Sequence, residues 1–366
     1  MGIINEIFRE FGPEYLNSYG EAMPREHAKV IHAIINCRTE ENGSLVYQCE
    51  ECGENHTLHR SCGNRHCPQC QNHKTRQWLE RQFKRQLPGN HFMTTFTVPE
   101  EIRPFLRSHQ RTGYAALFAA SAEAMKKLAQ DPKYIGGDLS GFFGVLHTWG
   151  RQLQYHPHIH YVVPGGAISS KDGRWHASGE AFYLPVLALS PVFRAKFRDR
   201  MEKAGFLDQI PAEVWQKEWN VNCQAVGDSS ASIKYLAPYV FRVAISNSRI
   251  INVEEGKVFF RYKKKKSNRL RTMELPVMEF IHRFLQHVLP TGFMKVRYYG
   301  FLNPTSNVPL DEVRARIELA YGFNVKEQVN ELEPLPAMTC KNCGGSGLRY
   351  IFFTLPKRRL PEGPSG

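Results

Sequence analysis

No apolar run in these 366 residues is long enough to cross a membrane, and the stretch from Met1 to Glu6 lacks the basic and apolar regions of a secretory signal. That argues against a membrane protein and predicts a cytoplasmic one. Acidic residues are also in short supply: 35 Asp and Glu face 48 Lys and Arg, for a net charge of +13 and a pI near 9.3. Such an excess suits a polyanion, and with the membrane set aside the expected partner is nucleic acid. No His-x-Glu step occurs, which removes the deaminases that need one before Pro-Cys-x-x-Cys. Internal repeats are lacking, so a solenoid is not expected. What remains is an ordinary globular composition, 42% hydrophobic and long enough for two or three domains.

Cysteine, by contrast, is organised. Of nine cysteines, six fall in Cys-x2-Cys pairs, Cys49/Cys52, Cys67/Cys70 and Cys340/Cys343, where about 0.2 such pairs are expected by chance. In a reducing cytosol the pairs point to metal rather than disulfides. Cys49, Cys52, Cys67 and Cys70 stand as two knuckles 14 residues apart, close to the spacing of a four-cysteine zinc site. Cys37, His56, His59, Cys62, His66 and His73 crowd the same region and leave room for a second metal. Cys340 and Cys343 read as half a zinc ribbon, to be completed by Cys223, a histidine or another subunit.

The segment His156-Pro157-His158-Ile159-His160 carries the chemistry. Alternation along a strand puts His158 and His160 on one face, with Ile159 and Tyr161 on the other. Residues 142–149 read as a strand, 150–157 as a loop and 158–163 as the returning strand, so His147 is expected beside that pair. A His-x10-His-x-His pattern is expected about 0.02 times by chance. Tyr235 and Tyr239 share a helix face at i, i+4. Three histidines for a divalent ion and a tyrosine pair are the parts of a metal-assisted attack of a phenol on a phosphodiester. Strand histidines bonded to backbone, and tyrosines that merely pack, are the alternatives. Pro238 complicates the helix, because it removes a donor and clashes with the preceding turn.

Elsewhere the pattern predicts helices over residues 26–36, 71–87, 111–130 and 229–246, and strands over 91–98 and 258–262. Residues 169–227 stand as an excursion, and 360–366 as a tail. Lys74, Arg76, Arg81, Lys84 and Arg85 surround the apolar stripe of the second helix. Lys263, Lys264, Lys265 and Lys266 follow the last strand. Both groups are candidate phosphate contacts.

On these residues the chain resembles the IS91-type transposases, of the HUH (His-hydrophobic-His) class of single-strand DNA nucleases. The resemblance is carried by Cys49-Glu50-Glu51-Cys52-Gly53, the Ser61 to Gln71 segment, Val145 to Gly150, His156 to Gly166, Tyr235-Leu236-Ala237-Pro238-Tyr239, Arg242 to Asn247, Phe284 to Pro290, and Arg297-Tyr298-Tyr299-Gly300. It implies an α+β fold, with a zinc-binding, DNA-binding domain over residues 1–88 and an HUH catalytic domain over 89–290, built on an antiparallel sheet flanked by helices. Residues 291–366 would form a C-terminal region with the half ribbon. It further implies Zn²⁺ in the first domain, and Mg²⁺ or Mn²⁺ on His158 and His160, with a third ligand that is either His147, at the spacing of the relaxases of this class, or a Gln, Asp or Glu from elsewhere, as in other members. Tyr235 and Tyr239 would be paired nucleophiles that cut and rejoin single-stranded DNA through a 5′-phosphotyrosine, by a rolling-circle route on hairpin-bearing ends and target DNA, in a bacterial, nucleoid-associated setting. Pro238 departs from the family, which usually has a basic or polar residue there. A replication initiator or relaxase of the same class is the near alternative, and a non-enzymatic zinc-finger DNA-binding protein the distant one.

Overall fold

The computed structural model describes residues 2–241, 244–264, 267, 269–322, 332, 334 and 337–357, with the side chains of Tyr239 and Phe241 outside that set. Lys265, Lys266, Arg242, Val243 and the 360–366 tail lie outside the described residues. In chain order the elements begin with helices α1 (Ile3–Tyr19) and α2 (Arg25–Ile35), strands β1 (Ser44–Cys49) and β2 (Asn55–His59), and helix α3 (Asn72–Lys84). Next come β3 (His91–Thr97), α4 (Arg103–Ser108), α5 (Gln110–Gln130), β4 (Phe142–Trp149), β5 (Tyr155–Pro164), β6 (Gly166–Ile168) and β7 (Trp175–Ala177). Then follow α6 (Val186–Lys203), β8 (Asn220–Ala225), α7 (Ser230–Phe241), β9 (Ile250–Glu254), β10 (Lys257–Lys263) and β11 (Leu270–Pro276). The series closes with α8 (Val277–Leu285), β12 (Val296–Tyr299), α9 (Leu310–Ala320) and β13 (Leu348–Phe353). No helix among the described residues is long and apolar enough to cross a membrane.

These elements form two compact units, one of Met1–Asn72, Ile245–Val288 and Leu332–Gly366, the other of His73–Ala244 and Leu289–Glu331. Three consecutive stretches were expected; each unit is instead assembled from separated segments. The reason lies in pairing: β13, near the end of the chain, hydrogen-bonds to β1, and α8 packs on α1, where Phe8 and Phe284 meet edge to face at 5.1 Å. In this first unit the apolar stripe of α2 (Val30, Ile31, Ile34) is buried, and β9, β10 and β11 form a meander beneath α8.

The second unit holds an antiparallel sheet in the order β12-β4-β5-β3-β8. Period-two alternation divides β5: Ile159 and Tyr161 face the helix side, where Tyr161 Oη meets Ser121 Oγ of α5 at 2.7 Å, and His158 and His160 face away. Helices α5 and α6 pack together, and Leu189, Phe193, Phe197 and Met201, each four residues from the next, bury one stripe of α6. Strand β5 begins at Tyr155, earlier than the expected loop allows. The ladder passes from His147↔His158 to Trp149↔Tyr155, so β5 carries one residue more than β4 at a bulge beside Pro157. A bulge is where a strand tolerates the missing donor of proline.

Gly144 lies opposite Tyr161 across the β4/β5 ladder, and a methyl group added there would sit 2.4 Å from Tyr161 Cε1. Gly144→Ala should therefore lower stability by about 1–3 kcal/mol, the usual range for overpacking a filled core. Urea unfolding of the full chain checks this, and an unchanged midpoint would contradict the packing described.

Candidate active site and metal centres

His147 of β4 and His158 and His160 of β5 bring one ligand nitrogen each to within 4.8 Å of one another. Their ring centroids are 4.7–5.4 Å apart. His147 is buried and the other two are half-buried. Burial pushes the His158 imidazole down to about 4, and burial with the charge of neighbouring imidazoles holds His147 and His160 well below the ordinary histidine range. All three are therefore neutral at pH 7, the form that donates a lone pair to a metal.

Partners aim the rings. Nδ1 of His158 donates to the carbonyl of His156 at 2.6 Å, and Nδ1 of His160 bonds Thr95 Oγ1 of β3 at 2.8 Å, leaving Nε2 of each ring as ligand atom. His147 stacks on Trp149 at 4.7 Å, and buried Lys295 sets its ammonium 4.7 Å from the same indole, a further positive charge against protonation of His147. Thr95 and Lys295 belong to no local motif. Only strand pairing and long-range packing bring them here. A set of three neutral imidazoles fits a divalent first-row ion with coordination positions left for oxygen ligands, and favours Mn²⁺ over Mg²⁺, which demands oxygen.

Helix α7 lies against β4 and sets Tyr235, which is half exposed, with its ring 6.3 Å from that of His160 and perpendicular to it. The helix runs through Pro238 to Phe241, so Tyr235 and Tyr239 keep their i, i+4 spacing on one continuous element, although the Tyr239 side chain lies outside the described residues.

Of the basic residues on α3, Lys74, Arg81 and Lys84 are exposed. Arg76 pairs with Glu80 at 3.2 Å, and Arg85 lies over the Tyr298 ring and bonds the Leu302 carbonyl, so these two serve the fold. Trp78 and buried Gln82 both donate to Tyr298 Oη. Lys263 and Lys264 are exposed at the tip of the β10/β11 hairpin.

The cysteines group differently from their order in the chain. Cys37, Cys62, Cys67 and Cys70 form one cluster, and Cys49, Cys52, Cys340 and Cys343 another. The expected quartet of Cys49, Cys52, Cys67 and Cys70 is not formed. Cys49 and Cys52 lie at the tip of the β1/β2 hairpin, whereas Cys62 to Cys70 follow its base, where Arg38 N–H bonds the Arg60 carbonyl. Five residues of strand separate tip from base by roughly 15 Å, too far for thiolates to share an ion. Within the clusters, Cys37 and Cys62 each place Sγ 3.5 Å from that of Cys70, and the Cys49/Cys343 and Cys52/Cys340 separations are 3.6 Å. Zinc–sulfur bonds of about 2.3 Å in a tetrahedron imply about 3.8 Å between sulfurs. All nine cysteines are free thiols, and Asn5 of α1 donates to Cys67 Sγ at 3.7 Å. Cys223 joins neither cluster and accepts from Thr94. His59 bonds Ser44 and His73 bonds Gln77. Neither these two nor His56 and His66 belong to a cluster.

The first cluster predicts a direct result. Cys67→Ser should cost the chain one bound zinc and loosen the loop from Cys62 to Cys70, because four thiols at this spacing need a cation to hold them. Metal analysis by mass spectrometry reads it, and an unchanged zinc content would contradict the assignment.

Compared with known proteins, residues 7–98 match a family model described as "Transposase zinc-binding domain", of the IS91 type, and residues 141–309 match one described as "Putative transposase". The chain is 37% identical over 319 residues to "Putative transposase y4qJ" of Sinorhizobium fredii (strain NBRC 101917 / NGR234), covering 82% of this chain and 80% of that protein. It is 25% identical over 295 residues to "Transposase for insertion sequence element IS801" of Pseudomonas savastanoi pv. phaseolicola, covering 75% of this chain and 70% of the relative. No solved structure matches it significantly.

Proposed function

Because the chain belongs to the IS91 family of transposases, we propose that it cuts and rejoins single-stranded DNA through a 5′-phosphotyrosine and moves an IS91-like element by a rolling-circle route. One observation carries this reading: a half-exposed tyrosine on α7 stands with its ring 6.3 Å from a histidine of a neutral three-imidazole cluster.

A divalent ion held by His147, His158 and His160 would polarise a phosphodiester oxygen and neutralise charge that builds on it. The Tyr235 phenol oxygen attacks phosphorus, the bond to the DNA 3′ oxygen breaks, and the phenol proton ends on the released 3′ hydroxyl. The new tyrosyl phosphodiester keeps the energy of the bond it replaces, so rejoining by a 3′ hydroxyl needs no nucleotide cofactor. Tyr239, one helical turn further along α7, would let a second DNA end be held before the first is released. Lys74, Arg81 and Lys84 on α3, with Lys263 and Lys264 on the hairpin tip, are suited to phosphates of a flexible single strand.

The test is incubation with a labelled single-stranded transposon end, its hairpin included, and with the same sequence as a duplex. Cleavage with covalent capture of only the single strand, lost in chelator, is expected; duplex cutting without any adduct would overturn the proposal. Thr95→Val should weaken divalent-ion affinity about 10- to 100-fold, the usual effect of losing a hydrogen bond that orients a metal-binding imidazole. Titration of cleavage against Mn²⁺ measures it, with full activity expected to return at saturating ion.

A further inference from the structure

Gly53 N–H bonds the Cys49 carbonyl and Gly344 N–H bonds the Cys340 carbonyl, both at 2.9 Å, and the two glycines have φ of 74° and 79°. Both Cys-x-x-Cys-Gly turns thus share one geometry, with glycine at the left-handed position that it adopts without strain. Facing each other, they bring four thiols together. From these observations we propose that Cys49, Cys52, Cys340 and Cys343 form a second zinc site, a ribbon split across the chain, whose ion clasps the C-terminal strand β13 onto β1 and exchanges more readily than the first.

The split is long: Cys52 and Cys340 are 288 residues apart, and the match to the zinc-binding domain model ends at residue 98. Polar groups lie against three of the four sulfurs. Gly345 N–H donates to Cys343 Sγ at 3.4 Å, Asn342 Nδ2 to Cys52 Sγ at 3.6 Å, and His56 Nε2 lies 3.1 Å from Cys340 Sγ. The Gly345 and Asn342 donors would spread part of the negative charge that zinc coordination leaves on a four-cysteine site.

The fold needs such a tie. Strand β13 pairs with β1 at the edge of a three-stranded sheet, yet Tyr350, Ile351, Phe352 and Phe353 remain exposed. Pairing therefore buries little apolar surface, and a small sheet of this kind is not stable on hydrogen bonds alone. A metal supplies what burial does not, as in other domains with too little core. Accessibility also distinguishes the two sites. Cys52 and Cys343 are exposed, whereas in the first cluster Cys37, Cys67 and Cys70 are buried and Cys62 half-buried. Chelators and oxidants reach the clasp first.

The decisive measurement uses the full-length protein as purified. Native mass spectrometry should find two zinc ions per chain, and Cys340→Ser combined with Cys343→Ser should leave one. Cobalt reconstitution should show thiolate-to-cobalt absorption of eight thiolates in the wild type, halved in that variant. Should the variant misfold, alkylation mapping of the wild type answers independently: on addition of a chelator Cys49, Cys52, Cys340 and Cys343 should become reactive together, ahead of Cys37, Cys62, Cys67 and Cys70. A single zinc in the wild type, a double variant that keeps two, or free alkylation of Cys340 and Cys343 in zinc-loaded protein would overturn the clasp. So would reactivity of Cys49 and Cys52 in step with Cys67 and Cys70, which is the grouping their order in the chain suggests.

Discussion

His158→Ala is expected to abolish cleavage of a single-stranded end while leaving DNA binding and its salt dependence in place. A cation held by the three imidazoles would contribute several kcal/mol of charge stabilisation, and each 1.36 kcal/mol is tenfold in rate, so the expected loss is roughly a thousandfold or more. The fold should survive the change. His158 sits half-buried on the site face of β5, and the packing that holds this strand comes from Ile159 and Tyr161 on the other side. Binding should survive as well if, as proposed, exposed cations such as Lys74, Arg81 and Lys84 carry the phosphate contacts. Cleavage assays, with filter binding across a salt series, separate the two effects. Undiminished cutting by the variant in chelator would contradict the role given to the histidines.

The second large effect belongs to the tyrosines. Phenylalanine keeps the ring and removes only the hydroxyl, so Tyr235→Phe and Tyr239→Phe should each leave some covalent DNA adduct and the double variant none. The expectation for the single variants follows from α7, which continues through Pro238 and keeps the two positions one turn apart. If one tyrosine were misplaced by about 1 Å, its share would fall by roughly 100-fold and the single variants would differ by that much. Denaturing gels of protein with an end-labelled single strand read the result directly.

The histidine site was legible in the sequence because it obeys local rules. Strand alternation puts His158 and His160 on one face, and a short hairpin brings His147 beside them; the actual pairing of His147 with His158 depends on the bulge beside Pro157, which the expected 150–157 loop does not show. The tyrosine helix was legible for a similar reason, a spacing of four residues. What could not be read was everything that depends on contacts far apart in the chain. Thr95 reaches His160 because β3 pairs with β5, and Lys295 reaches Trp149 from a segment nearly 150 residues later. The cysteines failed differently. Their order mimics one ribbon, while the length of the β1/β2 hairpin sends its tip and base to separate sites. The partner of the tip knuckle lies beyond residue 330, and no spacing rule announces a pairing of that range. Helix α6 is a signal that was present but not used. Leu189, Phe193, Phe197 and Met201 recur every four residues within what had stood as an excursion. Helix α1 carries a similar signal, a buried stripe of Ile4, Ile7, Phe8 and Tyr15.

The residue to which the DNA becomes attached is the most direct test of the mechanism. Wild-type protein is allowed to react with a single-stranded end and Mn²⁺, the adduct is trimmed with nuclease and digested with protease, and the nucleotide-bearing peptide is sequenced by tandem mass spectrometry. The prediction is a 5′-phosphate ester on Tyr235 or Tyr239, within the helix Ser230–Phe241. Attachment at any other residue, or a cut strand with a free 5′ phosphate and no linked peptide, would contradict it.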